Sequence, residues 1–198
     1  MKHRQIVHDI ETLGVARDAA ITNIGAVCIE LTDSQPLQSR VVSTFYVRVR
    51  HFDAHDCLHH EQAGRSHDLD TKQWWEVQSS PARFEALLNP DRMGLTRALS
   101  LYAEWLTALD QAKVPIWGNG SDFDNVILQE AFRSTVFEWP YRRNRCLRTL
   151  RGVVTEAFPD IAMPEFPAEL TRHHALHDAI HEANQLTTLL AAITARPA

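Results

Sequence analysis

Two carboxylates open the chain two residues apart, Asp9 and Glu11, in the run Ile6-Val7-His8-Asp9-Ile10-Glu11-Thr12-Leu13-Gly14. Ile6, Val7 and Ile10 read as a buried strand, and residues i and i+2 of a strand face the same side. The two carboxylates therefore project together from one strand end, about 7 Å apart along the chain. Like charges that close repel, and burying them unpaired is costly. A divalent cation relieves both costs, and hard oxygen donors suit Mg²⁺ or Mn²⁺. For this segment alone, the alternative is a strand end whose acids face water.

A second acidic station is Gly118-Asn119-Gly120-Ser121-Asp122-Phe123-Asp124, after a short apolar strand pattern and before a helical one. The C-terminal end of a buried strand is where α/β proteins place sites. The glycines let another chain approach the backbone closely. Asp122 reads as a helix-start acid favoured by the dipole. Asp124, within the first turns and next to Phe123, is the better ligand candidate. The third station opens the last helix, His173-His174-Ala175-Leu176-His177-Asp178. Asp178 lies in the first turn, off the apolar stripe, where it could simply complement the dipole. His173 is five residues earlier and would not share a face with it in a continuous helix. For the two to cooperate, His173 must sit on the loop that enters the helix. From there a neutral imidazole could take a proton from a water on a metal held by Asp178. Taken singly, His173, His174, His177 and His181 read as surface residues.

The elements that must position these groups follow from periodicity. Strands are expected over residues 4–11, 20–31 and 41–49, joined by short links as an antiparallel meander. Asp70 or Thr71 should cap a short helix carrying Trp74 and Trp75, and Ser79 or Ser80 with Pro81 a second, running to about Leu88. Leu95, Leu99, Tyr102, Leu106 and Leu109 mark a helix from Gly94 to Lys113. A short strand over 114–118, a helix from Ser121 to Phe132, a final strand at Cys146-Leu147 and a helix over 149–158 complete a mixed sheet. The last helix spans 175–195, with Leu176, Ile180, Ala183, Leu190 and Ile193 along one side.

The chain has 198 residues, 44% apolar, which suits one domain with a sizeable core. No apolar run reaches the length of a membrane span. The N-terminus lacks the apolar stretch of a secretory signal. Cys28, Cys57 and Cys146 are few, odd in number and widely spaced, as in a reducing cytoplasm. A net charge of −5 excludes a global basic field for coating a long duplex. His55, Cys57, His59 and His60 invite a zinc reading, but their spacing fits no common module. Arg142, Arg143, Arg145, Arg148 and Arg151 form the one basic cluster, suited to phosphates or to a solvated helix face.

In that order, Asp9-x-Glu11, Phe123-Asp124 and His173-x₄-Asp178 resemble the DEDDh group of 3′→5′ exonucleases on the ribonuclease H-like fold. Ile24-Gly25-Ala26-Val27, Trp74-Trp75, Trp117-Gly118-Asn119-Gly120 and Arg145-x₂-Arg148-Thr149-Leu150 extend the likeness to about residues 5–190. They look like its phage DexA-type, exodeoxyribonuclease VIII-like and bacterial exoribonuclease branch. His177 departs from the acid common before the last Asp, and Asp122 is an added acid.

The resemblance implies an α/β fold with a mixed central sheet flanked by helices, in a single exonuclease domain. Asp9, Glu11, Asp124 and Asp178 would hold two Mg²⁺ or Mn²⁺ ions, with His173 as general base. Thr12, Leu13, Trp74, Phe123 and Arg148 would contact the substrate, a single-stranded RNA or DNA 3′ end. The product would be a nucleoside 5′-monophosphate. The implied setting is cytoplasmic, off the membrane, with a homodimer through helices 81–113 as a further expectation. Two rivals stay open: a phosphoesterase for small nucleotides or short oligonucleotides, and a non-catalytic nucleic-acid-binding module.

Overall fold

The computed structural model describes residues 3–51, 62, 64–109, 114–120 and 122–195. Three long strands come first: β1 (His3–Thr12), β2 (Ile21–Leu31) and β3 (Ser39–Arg48). They pair antiparallel as the expected meander, with Asp9 opposite Gly25 and Glu11 opposite Asn23. After a helical segment the chain adds β4 (Ile116–Gly118) and β5 (Asn144–Cys146), parallel to β1. The sheet order is β3-β2-β1-β4-β5. The sheet is thus mixed, with β1 near its centre.

The helices are α1 (Leu69–Glu76), α2 (Ser80–Arg83), α3 (Leu95–Leu109), α4 (Asp124–Phe132), α5 (Leu147–Ala157) and α6 (Ala175–Thr194). They cover both faces. Ile6 and Ile10 face α3 and α4, through Leu99, Tyr102, Leu106, Ile127 and Leu128. Val7 and Val27 face α5 and α6, through Leu147, Val154, Ala179, Ala183 and Leu186. Asp9 and Glu11 alternate with Ile10, so they lie on the α6 side of β1. His8 belongs to the opposite face, buried, with its Nδ1 2.9 Å from the Tyr102 hydroxyl.

Several boundaries differ from expectation for local reasons. Helix α1 starts at Leu69 with Asp68 at the N-cap position, so the expected caps Asp70 and Thr71 lie inside its first turn. Its N-cap residue Asp68 does not cap it, because Oδ2 accepts from the Val15 backbone N–H at 2.7 Å instead. Ser79 does cap α2, accepting from the Ala82 N–H, and a single π turn over Phe84–Leu88 extends that helix to the expected end. The final strand ends at Cys146, and Leu147 opens α5 with its side chain buried. The Cys146 sulfur serves as cap by accepting from the Thr149 N–H. On α6 the buried stripe is Ala175, Ala179, Glu182, Ala183, Leu186 and Leu189, while Ile193 is half exposed. The stripe is rotated from the expected one because small alanines let α6 lie close to β2.

No described helix is long and apolar enough to cross a membrane.

Candidate active site

The carboxyl ends of β1 and β4 open into a cleft of about 650 Å³, within the usual size of ligand sites. Asp9, Glu11, Thr12, Trp74, Phe123, Asp124, Arg148, His173 and Asp178 all line it. Three separate stretches of chain therefore converge as the residue types suggested.

Two missing side chains make this convergence possible. A Cβ on Gly118 would lie 2.5 Å from Asn125 Oδ1 and 2.9 Å from Asp124 Cβ, so the first turn of α4 rests on the end of β4. The expectation had the glycines admitting another chain; at Gly118 the occupant is α4 itself. Asp124 is then fixed by the Gly120 N–H, which donates to Oδ2 at 3.3 Å. A Cβ on Gly25 would lie 2.2 Å from the backbone of Ala175 and Leu176. Gly25 is the cross-strand neighbour of Asp9, so the start of α6 settles beside Asp9 and brings Asp178 with it. The His174 N–H donates to Asp178 Oδ2 at 3.1 Å.

His173 sits before α6, as cooperation with Asp178 requires, with φ of 60° in the left-handed region. A non-glycine residue held there costs of the order of 1–3 kcal/mol and needs firm neighbours. Its successor His174 supplies them, stacked on Tyr46 at 4.5 Å and on His177 at 3.9 Å between ring centroids. The four histidines expected at the surface are all partly buried, and His177 Nδ1 accepts from the Thr171 N–H. The indole of Trp74 meets the His173 imidazole edge-on at 4.8 Å. Burial, followed by the Arg172 charge, lowers the His173 pKa and keeps the ring a neutral base.

The electrostatics of the acids are unusual. Burial first, then Glu11 and Asp124, raise the Asp9 carboxyl well above the ordinary range. Glu11 is raised likewise, by burial and then by Asp178 and Asp124. Burial pushes Asp124 and Asp178 up to about 6, against the opposing effect of backbone hydrogen bonds. Glu182 joins them, raised by burial and then by Asp124 and Asp178. Among the described residues no Arg or Lys forms an ion pair with any of these five acids. Glu182 Oε2 is buried without a hydrogen-bond partner. Donor atoms of Glu11, His173 and Asp178 lie within 4.8 Å of one another. Clustered carboxylates with an imidazole fit hard divalent cations, and the orphaned Glu182 oxygen belongs to a residue lining the same cleft.

Glu182 is the functional candidate that sequence reasoning missed. Its signal was present, since it lies one turn after Asp178 on the same face. Leu13 departs from its expected place. It is buried among Ala20, Trp75, Ala82 and Ala86, because this residue after the strand turns toward α1 and α2, and Gly14 and Val15 line the cleft in its stead. Trp75 is core, donating its indole N–H to the Thr12 carbonyl, and Trp74 is 42% exposed at the cleft. Asp122 is exposed and away from the cleft lining. The arginine cluster splits. Arg148 reaches the cleft, Arg143 binds the Val114 carbonyl, Arg151 ties Asn119 to Gln185, and Arg142 and Arg145 are exposed. His55, Cys57, His59 and His60 lie outside the described residues. Cys28 is a buried free thiol.

The arrangement has solved counterparts. Cell-death related nuclease 4 superposes with a TM-score of 0.59 at 10% identity, over 96% of this chain and 63% of that one. The nuclease domain of 3′hExo, a DEDDh family member, bound to rAMP, superposes with a TM-score of 0.58 at 10% identity, over 96% of this chain and 92% of that one. The fold is therefore the ribonuclease H-like fold of the DEDDh nucleases. No curated protein matches the chain. Residues 4–190 match the family model described as the 3′–5′ exoribonuclease Rv2179c-like domain, and the chain belongs to that family. The family description names a 3′–5′ exoribonuclease domain, a phosphodiester hydrolase class.

Proposed function

We propose that this chain, as a single domain, removes nucleoside 5′-monophosphates from the 3′ end of single-stranded nucleic acid. The observation that carries the reading is the convergence of Asp9, Glu11, Asp124, Asp178 and His173 on one cleft, with no described cationic side chain paired to the acids. The family description makes RNA the first polymer to test. Within the family's wider relations, the motifs Trp74-Trp75 and Trp117-Gly118-Asn119-Gly120 support kinship with the phage DexA-type branch. The three cysteines, few, odd in number and widely spaced, support a reducing, cytoplasmic setting.

Asp9, Glu11, Asp124 and Asp178 would hold two divalent cations, Mg²⁺ or Mn²⁺, which supply Lewis-acid activation of water and neutralise charge at the leaving 3′ oxygen. His173, neutral and anchored by its stacked neighbour, takes the proton from the attacking water. Trp74 offers a face to the terminal base, and Phe123 bounds the same space from the α4 side. Arg148 is placed to meet a phosphate of the entering strand. Cleavage from the 3′ end needs a free terminus in the cleft, so single-stranded or frayed ends are the natural substrate.

The test is a degradation assay on matched RNA and DNA single strands labelled at the 5′ end, with Mg²⁺, Mn²⁺ or EDTA. A metal-dependent ladder shortening from the 3′ end is expected. Asp9→Ala should abolish it, and His173→Ala should slow it by about 10²–10⁴-fold. Folded protein that binds Mn²⁺ yet shortens neither polymer would overturn the reading. A chain-length series would then show whether only dinucleotides are cut, as a small-nucleotide phosphoesterase would do.

A further inference from the structure

Glu182 carries an observation that the four-acid scheme does not use. It lies one turn beyond Asp178 on α6, lines the cleft, and is only 5% exposed. Residues four apart on a helix share a face, with Cβ atoms roughly 5–6 Å apart. Its Oε2 is buried with no hydrogen-bond partner. The charges that bear on it are mainly other acids, Asp124, Asp178 and Glu11. The one cation that bears on it, Arg151, directs its Nη2 to Asn119 Oδ1 at 3.1 Å and Gln185 Oε1 at 2.6 Å and forms no ion pair with Glu182, although its Nε is buried without a hydrogen-bond partner.

A carboxylate kept only for packing has no reason to be there. Glutamine has the same shape without the charge, and leucine fills similar space without a polar group to satisfy. Burying an unpaired acid beside like charges is the costliest of these choices. The choice becomes favourable when something of opposite charge, absent from the chain itself, sits within reach of Oε2.

We propose that Glu182 is a fifth carboxylate of the divalent-cation centre, with Oε2 as its donor atom. This deepens the reading above and rests on it. The four acids of the motif come from β1, α4 and the first turn of α6. Glu182 adds a second ligand from α6, one turn further into the protein. It also deepens the negative potential that draws cations into the cleft.

The test is metal binding rather than turnover. Glu182→Gln keeps shape and removes charge. Isothermal titration with MnCl₂ should show affinity reduced by about 10–100-fold relative to wild type, the usual cost of losing a supporting group at a metal site. Thermal unfolding gives a second readout. Metal-free E182Q should melt at or above the wild-type temperature, and Mn²⁺ should raise its Tm by less than it raises that of wild type. Unchanged Mn²⁺ affinity in E182Q, with wild type binding normally, overturns this inference and leaves the exonuclease reading standing. Failure of wild type itself to bind Mn²⁺ overturns both. Should E182Q not fold, Glu182→Asp withdraws the charge by one methylene. Weaker Mn²⁺ binding with a wild-type metal-free Tm then supports the assignment, and unchanged binding overturns it.

Discussion

The molecule buries acids in two ways. Away from the cleft, Glu30 is 5% exposed and accepts from Arg40 Nη2 at 2.7 Å, with Arg4 on its other oxygen. Glu85 accepts from Tyr46, Arg48 and Asn89. Burial pushes the Glu85 carboxyl up, but those hydrogen bonds and the Arg48 charge outweigh it and leave it below its ordinary value. In the cleft, Asp9, Glu11, Asp124, Asp178 and Glu182 have neither arginine nor lysine as an ion-pair partner among the described residues, and all are raised. The same sequence thus supplies counter-charges where an acid serves the fold and withholds them where five acids meet. Structural acids are finished within the chain. On the proposed reading, the cleft acids are completed by cations from outside it.

The sharpest way to break this contrast is Asp9→Asn. It should lower exonuclease rate by at least about 10³-fold, because such clusters act as a unit. In EDTA the same variant should melt above wild type, since one of several repelling buried charges is gone. A lower metal-free Tm would place Asp9 with the structural acids. The converse variant is Glu85→Gln. It removes the counter-charge from Arg48 and leaves one amide oxygen to accept from both Arg48 and the Tyr46 hydroxyl, and urea unfolding should show a loss of about 1–3 kcal/mol. A loss no larger than that of an exposed acid would remove the distinction from the other side.

pH sharpens the comparison further. Asp124 and Asp178 are pushed up to about 6 in the fold, while an unfolded carboxyl titrates near its ordinary value of about 4. Between those values the folded state holds protons that the unfolded state has released. These two groups therefore make stability of the metal-free protein fall as pH rises from about 4 to above 6, and Asp9, Glu11 and Glu182, also raised, act in the same direction. Mn²⁺ should raise Tm most above pH 6 and little near pH 4, where protons occupy the ligands. Scanning Tm against pH with EDTA and with Mn²⁺ measures both curves, and parallel curves would contradict the scheme. The smallest effect is expected at the aromatic wall. Trp74→Ala should raise KM by roughly 5–150-fold, the equivalent of about 1–3 kcal/mol of base stacking, with a smaller change in kcat. Trp75→Ala should instead cost stability, as its indole is buried against the Thr12 carbonyl.

Much of this was legible in the chain. The meander, the strand–turn–helix at 116–132 and the acids at three stations follow from alternation, glycine placement and helix periodicity. Even the loop position of His173 follows from its spacing to Asp178 once the two are taken to cooperate. Glu182 was not legible in the same way. The apolar stripe expected on α6, through Leu176, Ile180 and Ile193, turned it away from the sheet. The observed stripe runs through Ala175, Ala179 and Ala183, which a hydrophobicity pattern ranks below leucine and isoleucine although small size is what close packing against β2 demands. Leu13 was misplaced because a motif records which residues adjoin and not which way the backbone turns after Thr12. Trp74 and Trp75, adjacent and alike, differ only in the face each takes on α1.

Gly25 has a reach beyond its own strand. Any side chain there would have to occupy space held by the backbone of Ala175 and Leu176. Gly25→Ala would lift the entry of α6 and carry His173 and Asp178 away from Asp9 and Glu11, and a displacement of about 1 Å can cost 10²-fold in rate. One added methyl group, on a residue with no reactive atom, would leave every reactive group intact and the assembly silent. Judging whether a member of this family is alive by its acids and histidine alone would pass such a sequence as an enzyme. The position to read beside them is the one that must stay empty.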